Sequence, residues 1–235
     1  MSQSNDSLAA TAAAPAKADE TFFDSLRQAS EPDWSQAVGH RFVRELGAGT
    51  VPDAVMGAYL VQDHRFLDAF LTLLGAAIAT ADRFPARLRF GRFAGMVSGK
   101  ENDYFLRSFA ALGISDAARD AIPDSAATRG FQAIMREAAE TRSYCAVLAV
   151  LNVAEGLYLD WASRAPQLLP GNFVHAEWIT LHDNPFFRDF VAFLRAELDR
   201  VGPADAARAR DFFTRTVALE RAFFDAAYAE AGLPA

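Results

Sequence analysis

From Thr21 to the C-terminus the apolar residues recur at spacings of three and four, and no stretch alternates at period two long enough to make a half-buried strand. The chain is therefore expected to be all-α. Trp34, Val38, Phe42 and Leu46 stand four apart, which predicts one helical stripe closed by Gly47 and Gly49. Pro52 suits the first turn of a second helix running to about Ala81, before Phe84-Pro85 interrupts the pattern. A third helix is expected over Pro85 to Leu112, with an irregularity near Gly95 to Lys100, where Ser98-Gly99 weakens it. Ile114 to Thr128 reads as connector and Arg129 to Ser163 as the longest helix, followed by a turn at Pro166 to Gly171. Phe173 to Leu181, Pro185 to Val201 (behind the cap signal Asp183-Asn184) and Pro203 to Ala231 complete the set. No repeat at a fixed period points to a solenoid.

Long helices joined by short turns imply an antiparallel bundle, whose ligand sites are made by side chains pointing inward from several helices. Of the 235 residues 51% are hydrophobic, enough for one substantial core, so a single domain is expected over residues 21 to 235. Residues 1 to 20 are rich in Ser and Ala and lack both a basic start and an unbroken apolar run, so they read as a disordered tail rather than a secretory signal. A net charge of -7 argues against a nucleic-acid or anionic-membrane partner and favours a small polar ligand. The lone cysteine, Cys145, allows no intramolecular disulfide, so a cytoplasmic setting is the default, and no transmembrane helix is expected.

Polar residues inside apolar stripes are the candidates for chemistry. Asp63 lies mid-helix in Tyr59-Leu60-Val61-Gln62-Asp63-His64, where a carboxylate is costly to bury without a partner. It is either a site group or a core aspartate bonded to a neighbour. Glu155 precedes Tyr158 by three residues, so both can face one cavity, although an exposed or paired structural glutamate fits the same pattern. Glu220 is flanked by Val217, Phe223 and Phe224 at inward positions. Glu177 reads as a structural charge near a helix start. His40, His64, His175 and His182 show no ligand pairing on one helix face, and the Glu-x-x-His repeat of di-iron bundles is missing: Tyr158 follows Glu155 and Phe223 follows Glu220 at i+3. No metal and no cofactor is expected. Phosphate-binding Gly-rich loops and the Gly-x-Ser-x-Gly elbow are absent from the sequence too. Cys145 lies ten residues before Glu155, about 15 Å along the axis, and reads as a buried structural thiol.

Four segments carry a resemblance: His40-Arg41-Phe42-Val43-Arg44-Glu45-Leu46-Gly47-Ala48-Gly49-Thr50, Tyr59-Leu60-Val61-Gln62-Asp63, Glu177-Trp178-Ile179 and Glu220-Arg221-Ala222-Phe223-Phe224-Asp225. In this order and spacing, from about Trp34 to Tyr228, the chain resembles the TenA family of thiamin-salvage proteins. The resemblance implies a haem-oxygenase-like bundle that binds a 4-amino-2-methylpyrimidine and hydrolyses its 5-aminomethyl group, or the N-formyl form of that group. It implies that Asp63 holds the amino-amidine edge of the ring, that Glu220 exchanges protons with the amine, and that Phe66, Phe131, Tyr158 and His182 occupy the aromatic positions. The nucleophilic cysteine of the commoner class, four residues before the tyrosine, is Ala154 here, with Glu155 beside it. The chain thus looks like the cysteine-less branch, in which a glutamate takes over part of the catalysis. A homodimer or homotetramer is expected. Other readings on the same bundle are a cofactorless oxidase similar to pyrroloquinoline-quinone synthase, a di-iron oxygenase, and a non-catalytic pyrimidine-binding regulatory protein.

Overall fold

A computed structural model describes residues 20–234, and every regular element among them is helical. The expected tail lies, apart from Glu20, outside the described residues. The elements are α1 (Phe22–Ala29), α2 (Asp33–Val38), α3 (Arg41–Ala48), α4 (Asp53–Thr80), α5 (Phe84–Met96), a π-helical turn (Val97–Glu101), α6 (Asn102–Ala111), α7 (Asp116–Ala121), α8 (Ala126–Glu140), α9 (Tyr144–Ala162), α10 (Phe173–His182), α11 (Pro185–Val201), a 3-10 turn (Gly202–Asp205) and α12 (Ala206–Glu230).

Local polar groups decide where the helices start and stop. Trp34, Val38, Phe42 and Leu46 are all buried as their spacing predicts, yet they belong to two helices, not one. The break falls at Gly39-His40 because His40 caps α3: its Nδ1 accepts the Phe42 amide at 3.1 Å while its Nε2 meets Asp225 Oδ1 at 3.0 Å. Gly49, at φ 71°, closes α3 in the left-handed conformation that its lack of a Cβ allows. The expected helix from Arg129 to Ser163 is likewise two. Arg142 takes φ 53° and the Ser143 hydroxyl accepts the Ala146 amide at 3.3 Å, so the backbone turns before α9. The connector expected from Ile114 to Thr128 holds α7 and the start of α8, each capped by a serine, Ser115 and Ser125.

Helices α4, α8, α9 and α12 all pack on one another, with α5, α10 and α11 outside them. At the centre, α9 is buried along its length; it is the one helix among the described residues long and apolar enough to cross a membrane, with a mean hydropathy of 1.4 over 18 residues, but 89% of that stretch lies inside the protein. Asn152 and Glu155 are its only strongly polar residues before Asp160. The core is aromatic: Phe42 packs on Tyr59 (ring centroids 4.4 Å apart) and on Phe224 (5.3 Å). Each such ring contributes about 1.5–3 kcal/mol by leaving water.

Gln62 fixes how α4 is turned about its axis. Its buried amide accepts from Ser125 N (3.0 Å) and Thr128 Oγ1 (2.6 Å) and donates to Pro123 O and Glu230 Oε2 (both 3.0 Å). With that face held against α8 and α12, the next residue, Asp63, is set about 100° round the helix, facing the interior.

Candidate active site

Asp63 and Phe66 on α4, Phe131 on α8, Glu155 and Tyr158 on α9, His182 on α10 and Glu220 on α12 line one cavity. All seven residues singled out from the sequence therefore come together. The i, i+3 spacing accounts for two of the pairs, Asp63 with Phe66 and Glu155 with Tyr158. The cavity is narrow, with a volume of about 30 Å³. It is a slot suited to a flat ring rather than a chamber.

Aromatic faces wall this slot. Phe66 meets Phe131 edge-on (5.3 Å, 79°), Phe131 meets Phe223 in the same way (5.7 Å, 82°), and Tyr158 stands perpendicular to Trp178 (6.3 Å, 89°). The Trp178 indole N–H and Asp63 Oδ2 are both buried without a hydrogen-bond partner. Since buried polar atoms are nearly always paired, an unpaired donor and an unpaired acceptor around one cavity are what a ligand with both functions would satisfy.

Four carboxyl groups border the slot, and none of its lining residues is Arg or Lys. Asp63, Glu155 and Glu220 are only 5%, 7% and 2% exposed, so desolvation dominates their chemistry. Burial pushes Asp63 up to about 7, with the Tyr59 phenol pulling the other way. Glu101 rises to about 8 through burial and then the charge of Asp63. Glu155 and Glu220 lie well above the usual carboxylate range, both through burial first; Glu155 also feels Glu101, Glu220 and Asp63, and Glu220 feels Asp63. At neutral pH Glu101, Glu155 and Glu220 are thus mostly protonated. His182 falls to about 4 on burial, and its Nδ1 lies 2.9 Å from the Trp178 carbonyl, which can only accept. The neutral ring is therefore protonated on Nδ1, leaving Nε2 as an acceptor in the cavity wall.

Sequence reasoning missed Glu101, and also Phe70, Trp178 and Phe223 as wall residues. Glu101 closes the π turn, and the one sequence signal was the irregularity near Ser98-Gly99 that the turn explains. Glu177 pairs with Arg107 at the surface, in keeping with the structural role expected of it. Cys145 does not line the cavity; its buried thiol lies 3.8 Å from the Asp205 carbonyl and is pushed up to about 11, so it is not a thiolate at neutral pH. Among the described residues no three His, Cys, Asp or Glu side chains converge as a metal centre would require.

The chain is 24% identical over 217 residues to the aminopyrimidine aminohydrolase of Halalkalibacterium halodurans, covering 89% of this chain and 96% of that protein. It is 28% identical over 175 residues to the aminopyrimidine aminohydrolase of Bacillus subtilis, covering 72% of each. Among solved structures, a TenA homologue from P. horikoshii OT3 superposes with a TM-score of 0.80 at 21% identity over 89% of this chain and 99% of that one, so the fold is the haem-oxygenase-like bundle. Residues 27–230, nearly all of the helical region, match the TENA/THI-4/PQQC family, and the chain belongs to that family.

Proposed function

We propose that the protein hydrolyses the exocyclic C–N bond of a 5-aminomethyl-4-amino-2-methylpyrimidine, or of its N-formyl form, in thiamin salvage, and that it does so as a cysteine-less member of its family. The names of its aminohydrolase relatives support the reaction class. The observation that carries the reading is the cavity itself: an aromatic slot with an unpartnered aspartate oxygen, further carboxyl groups and no cation. Such a site suits a flat, basic, nitrogen-rich ring with an amine arm. It repels the multiply acidic substrate that an oxidase of the quinone-forming kind would take, because no Arg or Lys is there to balance the charge.

In this reading Asp63 accepts hydrogen bonds from the amino-amidine edge, while Phe66, Phe131 and Tyr158 hold the ring faces. Glu220, protonated at neutral pH, donates to the amine nitrogen as the C–N bond breaks. Glu155, also protonated, orients the attacking water. Positioned proton transfer of this kind contributes about 10² to 10⁴ in rate. Ala154 replaces the family's cysteine, so the water attacks without a thiolate intermediate. Incubating the purified protein with the amine and with its N-formyl form, and following ammonia and formate, tests this directly. Release over many turnovers is expected from at least one of them; binding without release of either product would leave a pyrimidine-binding protein and refute the hydrolase.

A further inference from the structure

The proposed mechanism has an acid for the leaving amine and an orienting group for water, but no group to take the water's proton. Asp63 is engaged with the ring, Glu155 orients the water and Glu220 protonates the amine. The fourth is Glu101. It is the last residue of the π turn that interrupts an otherwise continuous helical path from Phe84 to Ala111. A π turn inserts one extra residue and rotates the helix beyond it by about 100°, a distortion found most often at functional sites. Here its last residue is a glutamate that lines the cavity, four residues after buried Val97 and four before buried Phe105. The carboxyl has no hydrogen bond or ion pair with any described residue, and it is less buried than the other three, so no structural contact accounts for its place.

Glu155 and Glu220 line the same cavity as Glu101.

We propose that Glu101 is the general base of this site. The proposal rests on the hydrolase reading. In the forward step, taken by the ionised fraction of Glu101, which grows as pH rises towards about 8, one O–H bond of water breaks and its proton goes to the Glu101 carboxylate. The hydroxide oxygen bonds to the exocyclic methylene carbon, the C–N bond breaks with its electron pair on nitrogen, and nitrogen takes the Glu220 proton to leave as ammonia. Glu101 is then protonated and Glu220 ionised. Glu101 then gives its proton to water and Glu220 takes one from water, which restores the starting state without any other reactant.

The test compares wild type with Glu101→Gln, Glu101→Asp and Glu101→Ala, using aminomethylpyrimidine and ammonia release. The groups facing Glu101 across the slot are Asp63 of α4, Glu155 and Tyr158 of α9, His182 of α10 and Glu220 of α12, so a pH profile is read alongside rescue. Glu101→Gln should lower kcat about 100-fold or more with KM changed by less than about threefold. Glu101→Asp should keep part of the rate, with the acidic limb of kcat/KM shifted. Added formate should restore turnover to Glu101→Ala, which a merely structural glutamate would not permit. Wild type that turns over while Glu101→Gln matches it within about threefold overturns this role alone. Inactive wild type overturns the hydrolase reading and this role with it. If Glu101→Gln loses its helical circular dichroism, Glu101→Asp decides: an unshifted limb at full rate overturns the proposal.

Discussion

The hydroxyls of Tyr59 and Tyr158 lie 2.7 Å apart, a buried hydrogen bond that ties α4 to α9 beside the cavity although the two residues are 99 positions apart in sequence. Each tyrosine follows or precedes a site carboxyl on its own helix: Tyr59 stands four before Asp63 and Tyr158 three after Glu155. The bond therefore holds the two carboxyl-bearing faces in register.

Tyr158→Phe removes one partner and leaves the Tyr59 hydroxyl buried and unpaired. A loss of about 1–2 kcal/mol is expected, which lowers the thermal midpoint by about 3–6 °C for a protein of this size. Calorimetry or circular dichroism melting reads this, and an unchanged midpoint would mean the bond contributes nothing to stability.

Asp63→Asn should weaken pyrimidine binding by about 10- to 100-fold, since a hydrogen bond to a charged group is lost from ground state and transition state alike. The Asp63 carboxyl ionises at about 7, so the affinity of wild type for the hydroxymethylpyrimidine product should rise as pH rises through that value. Titration calorimetry should find the Asn variant flat over the same range. A variant that keeps the wild-type pH dependence would assign that dependence to another group.

Legibility in the sequence followed burial. Asp63, Glu155 and Glu220 stand out because each is a carboxylate inside an apolar helical stripe, and the same stripes place them inward. Glu101 lies on the buried stripe too, four after Val97 and four before Phe105, but the polar, glycine-containing run Ser98-Gly99-Lys100 just ahead of it breaks the pattern and hides that place. The helix breaks at His40 and Ser143 were hidden for a related reason. A cap made by a side chain re-starts the helix so soon that the three-and-four spacing of buried residues continues across it, as Val38 and Phe42 do.

The buried carboxyls should also set an unusual stability profile. Asp63 and Glu101 ionise at about 7 and 8 in the fold, and Glu155 and Glu220 are raised further, all above the usual carboxylate range of the unfolded state. The folded state therefore binds more protons than the unfolded one, and stability contributed by the protonated forms is lost as pH rises through those folded values. The depressed histidines work in the opposite sense, but only below their ordinary value of 6.5. Between about pH 6.5 and 8.5 the thermal midpoint of the unliganded protein should fall, and Glu101→Gln should make that fall shallower. A midpoint that rises across this window would show that the carboxyls are paired or hydrated in solution.

The central claim is that this carboxyl-lined slot breaks a C–N bond, and the most direct measurement is ammonia released per enzyme from aminomethylpyrimidine, matched against hydroxymethylpyrimidine formed, for wild type, Glu155→Gln and Glu220→Gln. Wild type should release the two products one to one over many turnovers. Each variant should keep its helical fold and still bind the product while kcat falls by about 100-fold or more. Wild type that binds the pyrimidine without releasing ammonia, or glutamine variants that turn over at the wild-type rate, would contradict the account.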